Sequence, residues 1–186
     1  MTEPPDTDRV EILSEPELGR TLARLATQVL ETIDESRSLM LLGIPTRGVQ
    51  LSRVLARELE HLSGHAIAQG SIDPTFHRDD LERIGTRLPQ LTNLPNSVEG
   101  RQVVLVDDVI FTGRTVRAAL EALQNWGRAQ RVMLLAMVDR GHRELPIQPD
   151  FCGRLVPTRR SETIELRLRD VDGDEGVYLR RFNLQD

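Results

Sequence analysis

The chain of 186 residues contains no lysine, so all 24 of its Lys and Arg residues are arginine. Schiff-base catalysis and a Walker-type phosphate loop both need a lysine amine, and both are excluded. Cysteine is nearly missing too. Cys152 is the only one, which rules out an internal disulfide; with no histidine near it in sequence, it reads as a small buried side chain rather than a nucleophile. No apolar run approaches the roughly 18 residues of a membrane span, and no segment has the layout of a signal peptide. The chain is therefore expected in the cytoplasm, without a membrane partner. Positive charge is not in excess either. A net charge of −5 argues against indiscriminate nucleic-acid binding, while leaving room for a local basic face. The length suits one domain with a real core.

What is present is concentrated in Val103–Thr115. The apolar run Val103–Val106 ends in Asp107 and Asp108, and the small-residue turn Thr112-Gly113-Arg114-Thr115 leads into a helical pattern. An uninterrupted apolar run reads as a strand buried on both faces, as in a parallel sheet. Val116, Leu120 and Leu123, with Trp126 beyond them, mark the following helix. A strand, a turn and a helix N-terminus together form a phosphate cradle, because the first turn of a helix leaves N–H groups unpaired. Thr112, Gly113 and Thr115 allow close approach, and Arg114 adds charge. The two carboxylates would repel phosphate but accept hydrogen bonds from sugar hydroxyls. Phosphate at one end and a diol at the other describe a 5-phosphorylated ribose.

The rest of the chain predicts strand–helix alternation followed by strands. Residues 1–9 read as a disordered lead-in and 10–186 as one domain. Ser14-Glu15-Pro16-Glu17 has the form of a capping box, opening an amphipathic helix through Leu18, Leu22, Leu25, Ala26, Val29 and Ile33 to about residue 35. A buried strand is expected over 39–44, a helix over 49–62 with Leu51, Leu55, Leu59 and Leu62 inward, extended segments over 66–72 and 75–77, and a core strand over 132–138. Gly127 is placed as the cap of the helix at 113–126. Residues 79–100 are polar and broken by prolines, the pattern of an active-site lid or of disorder. The tail alternates through Ile164, Leu166 and Leu168, then turns at Asp172-Gly173 into a last strand over 177–182. The expected architecture is an α/β fold: a parallel sheet flanked by helices, with a small β-rich hood.

Three further loops follow strands. Gly43-Ile44-Pro45-Thr46-Arg47-Gly48 has the same strand-to-helix setting as the first motif. Alone it is compatible with an ordinary turn; beside that motif it suits a pyrophosphate group, through Thr46, Arg47 and Gly48. Arg78, and after it Arg87, would bring positive charge over a leaving pyrophosphate, whereas Asp79 and Asp80 read equally well as a solvated cluster. Asp139, Arg140 and His142 end the next core strand, where an acceptor base would sit; a surface-turn histidine is the alternative for His142. Asp170–Gly176 superficially suggests a calcium loop, but Glu175 stands where glycine is required, so a solvated hairpin turn is expected.

Val103–Thr115 resembles the phosphoribosyl-pyrophosphate (PRPP) motif of type I phosphoribosyltransferases. Together with Thr46-Arg47-Gly48, Arg78-Asp79-Asp80-Leu81, Arg117 and Asp139–Pro146, the chain from about residue 10 onward resembles the family of pyrimidine-operon attenuation regulators that are also uracil phosphoribosyltransferases. The resemblance implies that uracil and PRPP give UMP and pyrophosphate. It implies Mg²⁺ held through PRPP rather than by an assured side-chain ligand, with Asp107 and Asp108 as the candidates for direct contact, and Asp107, Asp108 and Arg78 as the catalytic set. It implies a homo-oligomer, and UMP-dependent binding of pyrimidine-operon leader mRNA; clustered Arg20, Arg24, Arg143, Arg159 and Arg160 are the candidates for that surface. The alternatives are a purine-type phosphoribosyltransferase, which the 138–146 block disfavours, or an enzyme without RNA binding. Orotate-type relatives use loop lysines, which this chain lacks.

Overall fold

The computed structural model describes residues 9–79, 92–95 and 97–181. Five strands form a parallel sheet: β2 (Leu39–Gly43), β3 (Ala68–Ser71), β4 (Gln102–Ile110), β5 (Arg131–Asp139) and β6 (Phe151–Leu155), in the order β3-β2-β4-β5-β6. Three antiparallel strands form a separate hood: β1 (Arg9–Leu13), β7 (Glu162–Arg167) and β8 (Gly176–Arg181), in the order β1-β8-β7. Helices α1 (Glu15–Thr32), α2 (Arg47–Ser63) and α3 (Arg114–Leu123) flank the sheet, and the short α4 (Arg169–Asp172) joins β7 to β8.

Alternating side chains divide the core between the two faces of the sheet. Val104 and Val106 of β4 and Met133, Leu135 and Met137 of β5 pack with Leu18, Leu22, Leu25 and Val29 of α1 and with Leu51, Leu55 and Leu59 of α2. Val103 and Leu105, with Leu134 and Ala136, meet Val116, Ala119 and Leu123 of α3 on the other face. The expected capping box is present: Ser14 N donates to Glu17 Oε2 at 2.9 Å.

Several expectations are corrected. Arg9 is not lead-in but the first residue of β1, paired with Arg180; residues 1–8 lie outside the described residues. Leu62, Leu120 and Trp126 do not face the core, being 50%, 36% and 39% exposed. Helix α1 ends at Thr32, and α3 ends at Leu123 with a 3₁₀ turn over Gln124–Trp126. Thr75–His77 is a 3₁₀ turn rather than extended. Within the interval assigned to a lid, residues 80–91 and 96, including Asp80 and Arg87, lie outside the described residues. The part from Thr92 onward is tied to the body: Asn93 bridges Ser71, Thr92 Oγ1 accepts Asp73 N–H at 3.1 Å, and Val98 is fully buried. Finally, β6 belongs to the main sheet, where Asp150 Oδ2 accepts Leu134 N–H at 2.8 Å just before the strand begins.

Candidate active site

All five strands point the same way, so the loops after β2, β4 and β5 share one edge. The chain runs from β2 outward to β3 and then back across to β4, so the strand order reverses between β2 and β4. The carboxyl ends of the strands at such a switch point form the ligand crevice of open α/β sheets. Register fixes the neighbours there: Gly43 pairs with Val106, and Ile44 N–H donates to Val106 O at 2.9 Å. The loop after β2 therefore starts beside Asp107.

Glycine is required in that loop by contact. A Cβ on Gly48 would stand 2.3 Å from Val106 O, and one on Gly43 would stand 2.5 Å from Val49 Cα. These two bare positions let the N-terminus of α2 settle against the end of β4. A cis peptide joins Pro45 to Thr46. Thr46 is exposed at the head of α2.

Asp107 is 6% exposed and Asp108 half-buried, with Asp108 N–H donating to Asp107 Oδ1 at 3.1 Å. Burial pushes both carboxyls above the usual aspartate range, and for Asp107 the charge of Asp108 pushes further. Arg78 acts in the opposite direction on Asp107, and Arg47 on Asp108. Two desolvated carboxyls suit a neighbouring cation, whether a metal ion or a carbon developing positive charge. Among the described residues no group of three or more His, Cys, Asp or Glu side chains forms a metal-binding cluster. A divalent cation here would rely on this pair and on ligand oxygens.

The phosphate turn follows. Gly113 caps α3 with φ 91°, a left-handed conformation that favours glycine. Arg114 N–H lies 3.4 Å from Thr112 Oγ1, and Arg78 donates to Thr115 Oγ1, bringing the two predicted motifs together. The Arg114 side chain does something other than expected. Its Nε donates to Glu144 at 2.9 Å and its Nη1 to Asp79 at 2.8 Å, so its charge braces the neighbouring loops. Asp79 is thus an ion-pair partner rather than a solvated charge. Arg117 extends the brace, donating to His77 O at 3.0 Å.

The loop after β5 is held from within. Asp139 accepts Gly141 N–H at 2.9 Å and Arg143 at 2.6 Å. Arg143 also donates to Phe111 O and Ile147 O, at 2.9 and 2.8 Å, so it is a staple of this loop and not part of an exposed basic patch. Arg140 is 6% exposed and donates to Thr158 Oγ1, Arg159 O and Glu162 O, with its guanidinium carbon 4.2 Å from the Phe111 ring centroid. His142, at φ 62°, has Nε2 2.6 Å from Thr158 O. A carbonyl can only accept, so Nε2 carries the hydrogen. His142 is therefore tied to the crossing toward the hood, not a free surface turn. Sequence reasoning missed Phe111, Thr158 and Glu144, whose partners lie 16 to 32 residues away.

It also missed Asp172. The stretch expected to be a solvated turn contains α4, whose Asp172 Oδ1 accepts Arg47 at 2.6 Å across the rim of the crevice. Of the remaining basic candidates, Arg20 and Arg24 are exposed on α1, with Arg24 donating to Gly153 O of β6 at 2.7 Å. Arg159 and Arg160 are exposed on the link from β6 to β7, where Arg160 lies 3.4 Å from Glu144.

A five-stranded parallel sheet with an acid pair and a glycine-capped strand-to-helix turn at its switch point has the architecture of a type I phosphoribosyltransferase. The phosphoribosyl transferase domain family matches residues 8–157. A hypoxanthine phosphoribosyltransferase from Staphylococcus aureus shares the fold, with a TM-score of 0.70 at 16% identity over 100% of this chain and 99% of that one. Closer in sequence, the bifunctional protein PyrR of Thermosynechococcus vestitus is 53% identical over 91% of this chain and 93% of its own. That of Microcystis aeruginosa is 50% identical over 91% and 96%. The chain belongs to the PyrR family of phosphoribosyltransferases.

Proposed function

We propose that the protein transfers the 5-phosphoribosyl group of PRPP to uracil, giving UMP and pyrophosphate. The observation that carries this is the convergence at one sheet edge of the Asp107–Asp108 pair, the Thr112–Thr115 turn and the Thr46–Gly48 loop. Uracil N1 bonds to the anomeric carbon as the bond from that carbon to pyrophosphate breaks. The electron pair leaves with pyrophosphate, and the N1 proton is released. Asp107 and Asp108 hold the ribose hydroxyls and stabilise the positive charge that develops beside them. The amides of the 112–115 turn take the 5-phosphate. The Thr46–Gly48 loop, Arg47 and Arg78 face the departing pyrophosphate. Asp107 and Asp108, with ligand oxygens, would hold Mg²⁺, and the ion would neutralise charge on the leaving pyrophosphate. Asp139, Arg140 and His142 shape the uracil side, with Phe111 as its wall. The enzyme acts in the cytoplasm as a homo-oligomer.

The second activity in this reading is UMP-dependent binding of pyrimidine-operon leader mRNA, promoting termination. Its candidate surface is the outer face of α1 and β6: Arg20, Arg24 and the exposed Arg154, which the sequence reading did not include. Both Arg20 and Arg154 act on Glu17, whose carboxyl is held below the usual range chiefly by hydrogen bonds from Ser14.

The test is to mix the purified protein with PRPP, Mg²⁺ and each of uracil, orotate, hypoxanthine and adenine, and to measure pyrophosphate. Uracil alone should support rapid release. Release with hypoxanthine but not uracil would replace this reading with the purine-type one.

A further inference from the structure

Arg47 is the first residue of α2 and its charge acts on two carboxyls. One is Asp108 of the crevice, whose ionisation the Arg47 charge favours. The other is Asp172 of the hood, at 2.6 Å and only 11% exposed. Asp172 is itself fixed at both ends. Its second oxygen accepts Leu168 N–H at 2.9 Å, and its backbone carbonyl accepts Arg167 at 3.1 Å. Gly173, at φ 79°, ends the helical turn that presents it. The carboxylate therefore arrives pre-oriented, with little side-chain freedom left to lose. The guanidinium, on a long flexible stem, has much more to lose.

We propose that Asp172 is a positioning residue of the pyrophosphate site. Its carboxylate holds the Arg47 side chain at the rim of the crevice, so that pyrophosphate and PRPP meet an ordered cation rather than one that must be ordered on binding. Through α4, the hood then helps to set the pyrophosphate side. Without Asp172, the long Arg47 side chain has to be ordered by the ligand itself. The inference rests on the assignment of Arg47 to pyrophosphate.

The experiment is a cycle of Asp172→Asn, Arg47→Gln and the double variant. It measures KM for PRPP and for uracil, kcat, the pyrophosphate inhibition constant and the melting temperature. Asparagine keeps an oxygen for Leu168 N–H while removing the charge. Asp172→Asn should raise KM for PRPP and weaken pyrophosphate inhibition, each about fivefold, the scale of a partly exposed ion pair. KM for uracil should stay constant. In the Arg47→Gln background, the same substitution should add nothing further.

Multiplicative effects of the two substitutions, or a lowered melting temperature with unchanged PRPP and pyrophosphate constants, would overturn the inference. Normal PRPP and pyrophosphate constants for Arg47→Gln would instead overturn the pyrophosphate assignment beneath it. If Asp172→Asn fails to fold, Asp172→Glu carries the test: it keeps the charge but displaces it by one methylene. The same selective shift in PRPP and pyrophosphate constants supports the inference, and its absence refutes it.

Discussion

Replacing Asp107 or Asp108 by asparagine should move stability and turnover in opposite directions, because the two carboxyls oppose each other in a desolvated site. Turnover of Asp108→Asn should fall about a hundredfold or more, as charge stabilisation at the anomeric carbon is lost. Stability should rise at neutral pH. A folded-state pKa above the unfolded value means that the pair favours folding only while it is protonated. This contribution is complete below the ordinary aspartate value of about 4 and is lost as pH rises through the raised values. The melting advantage of Asp107→Asn over wild type should therefore grow from pH 4 toward pH 7. Calorimetry across that range checks the sign; a constant difference would mean that the pair's charge is not the cause. These residues were legible in the sequence because strand, acid pair and turn are contiguous. The bracing role of the Arg114 side chain was not legible, because nothing local shows that Glu144 and Asp79 will claim its guanidinium.

At the level of elements, two contacts hold the loops in place. Gly48→Ala drives a methyl group into Val106 O, a backbone atom that cannot rotate away. It should cost about 1–3 kcal/mol and weaken PRPP binding, because α2 must withdraw from the end of β4. Melting and PRPP titration of the purified variant read both effects. Arg143→Gln leaves the Asp139 carboxylate, 12% exposed, without its cation. A loss of about 3 kcal/mol is expected, with impaired uracil use. A fully stable Arg143→Gln variant would return this arginine to the candidates for the RNA surface. The helices α1 and α2 were legible because their leucines recur at helical spacing. β1 was not. Its partner is β8, so the pairing joins Arg9 to Arg180, and an isolated five-residue strand carries no signal of what it will meet.

Across the whole molecule, a net charge of −5 leaves RNA binding to a local face. Arg20→Glu with Arg24→Glu should weaken binding of leader RNA in the presence of UMP and flatten its salt dependence, since fewer counterions are released. Uracil phosphoribosyltransferase activity should persist, because α1 lies away from the crevice loops. Titrations at two salt concentrations check this. Unchanged binding would move the surface toward Arg159 and Arg160. No preference of the wild type for leader over scrambled RNA would leave an enzyme alone.

The sequence by itself determined the parallel α/β class, the strand-to-helix turn at Thr112–Thr115 and the acid pair. Each rests on local periodicity or on contiguous residues, whose chemistry does not depend on what packs above them. Only the tertiary structure decided which arginines serve as braces. Arg114, Arg140 and Arg143 are spent on Glu144, on the carbonyls of Arg159 and Glu162 and on Asp139, while Arg47 is held by Asp172. An arginine side chain is long enough to reach acceptors on several elements. Its partner is therefore fixed by which loops the sheet brings to one edge, and spacing along the chain carries no record of that.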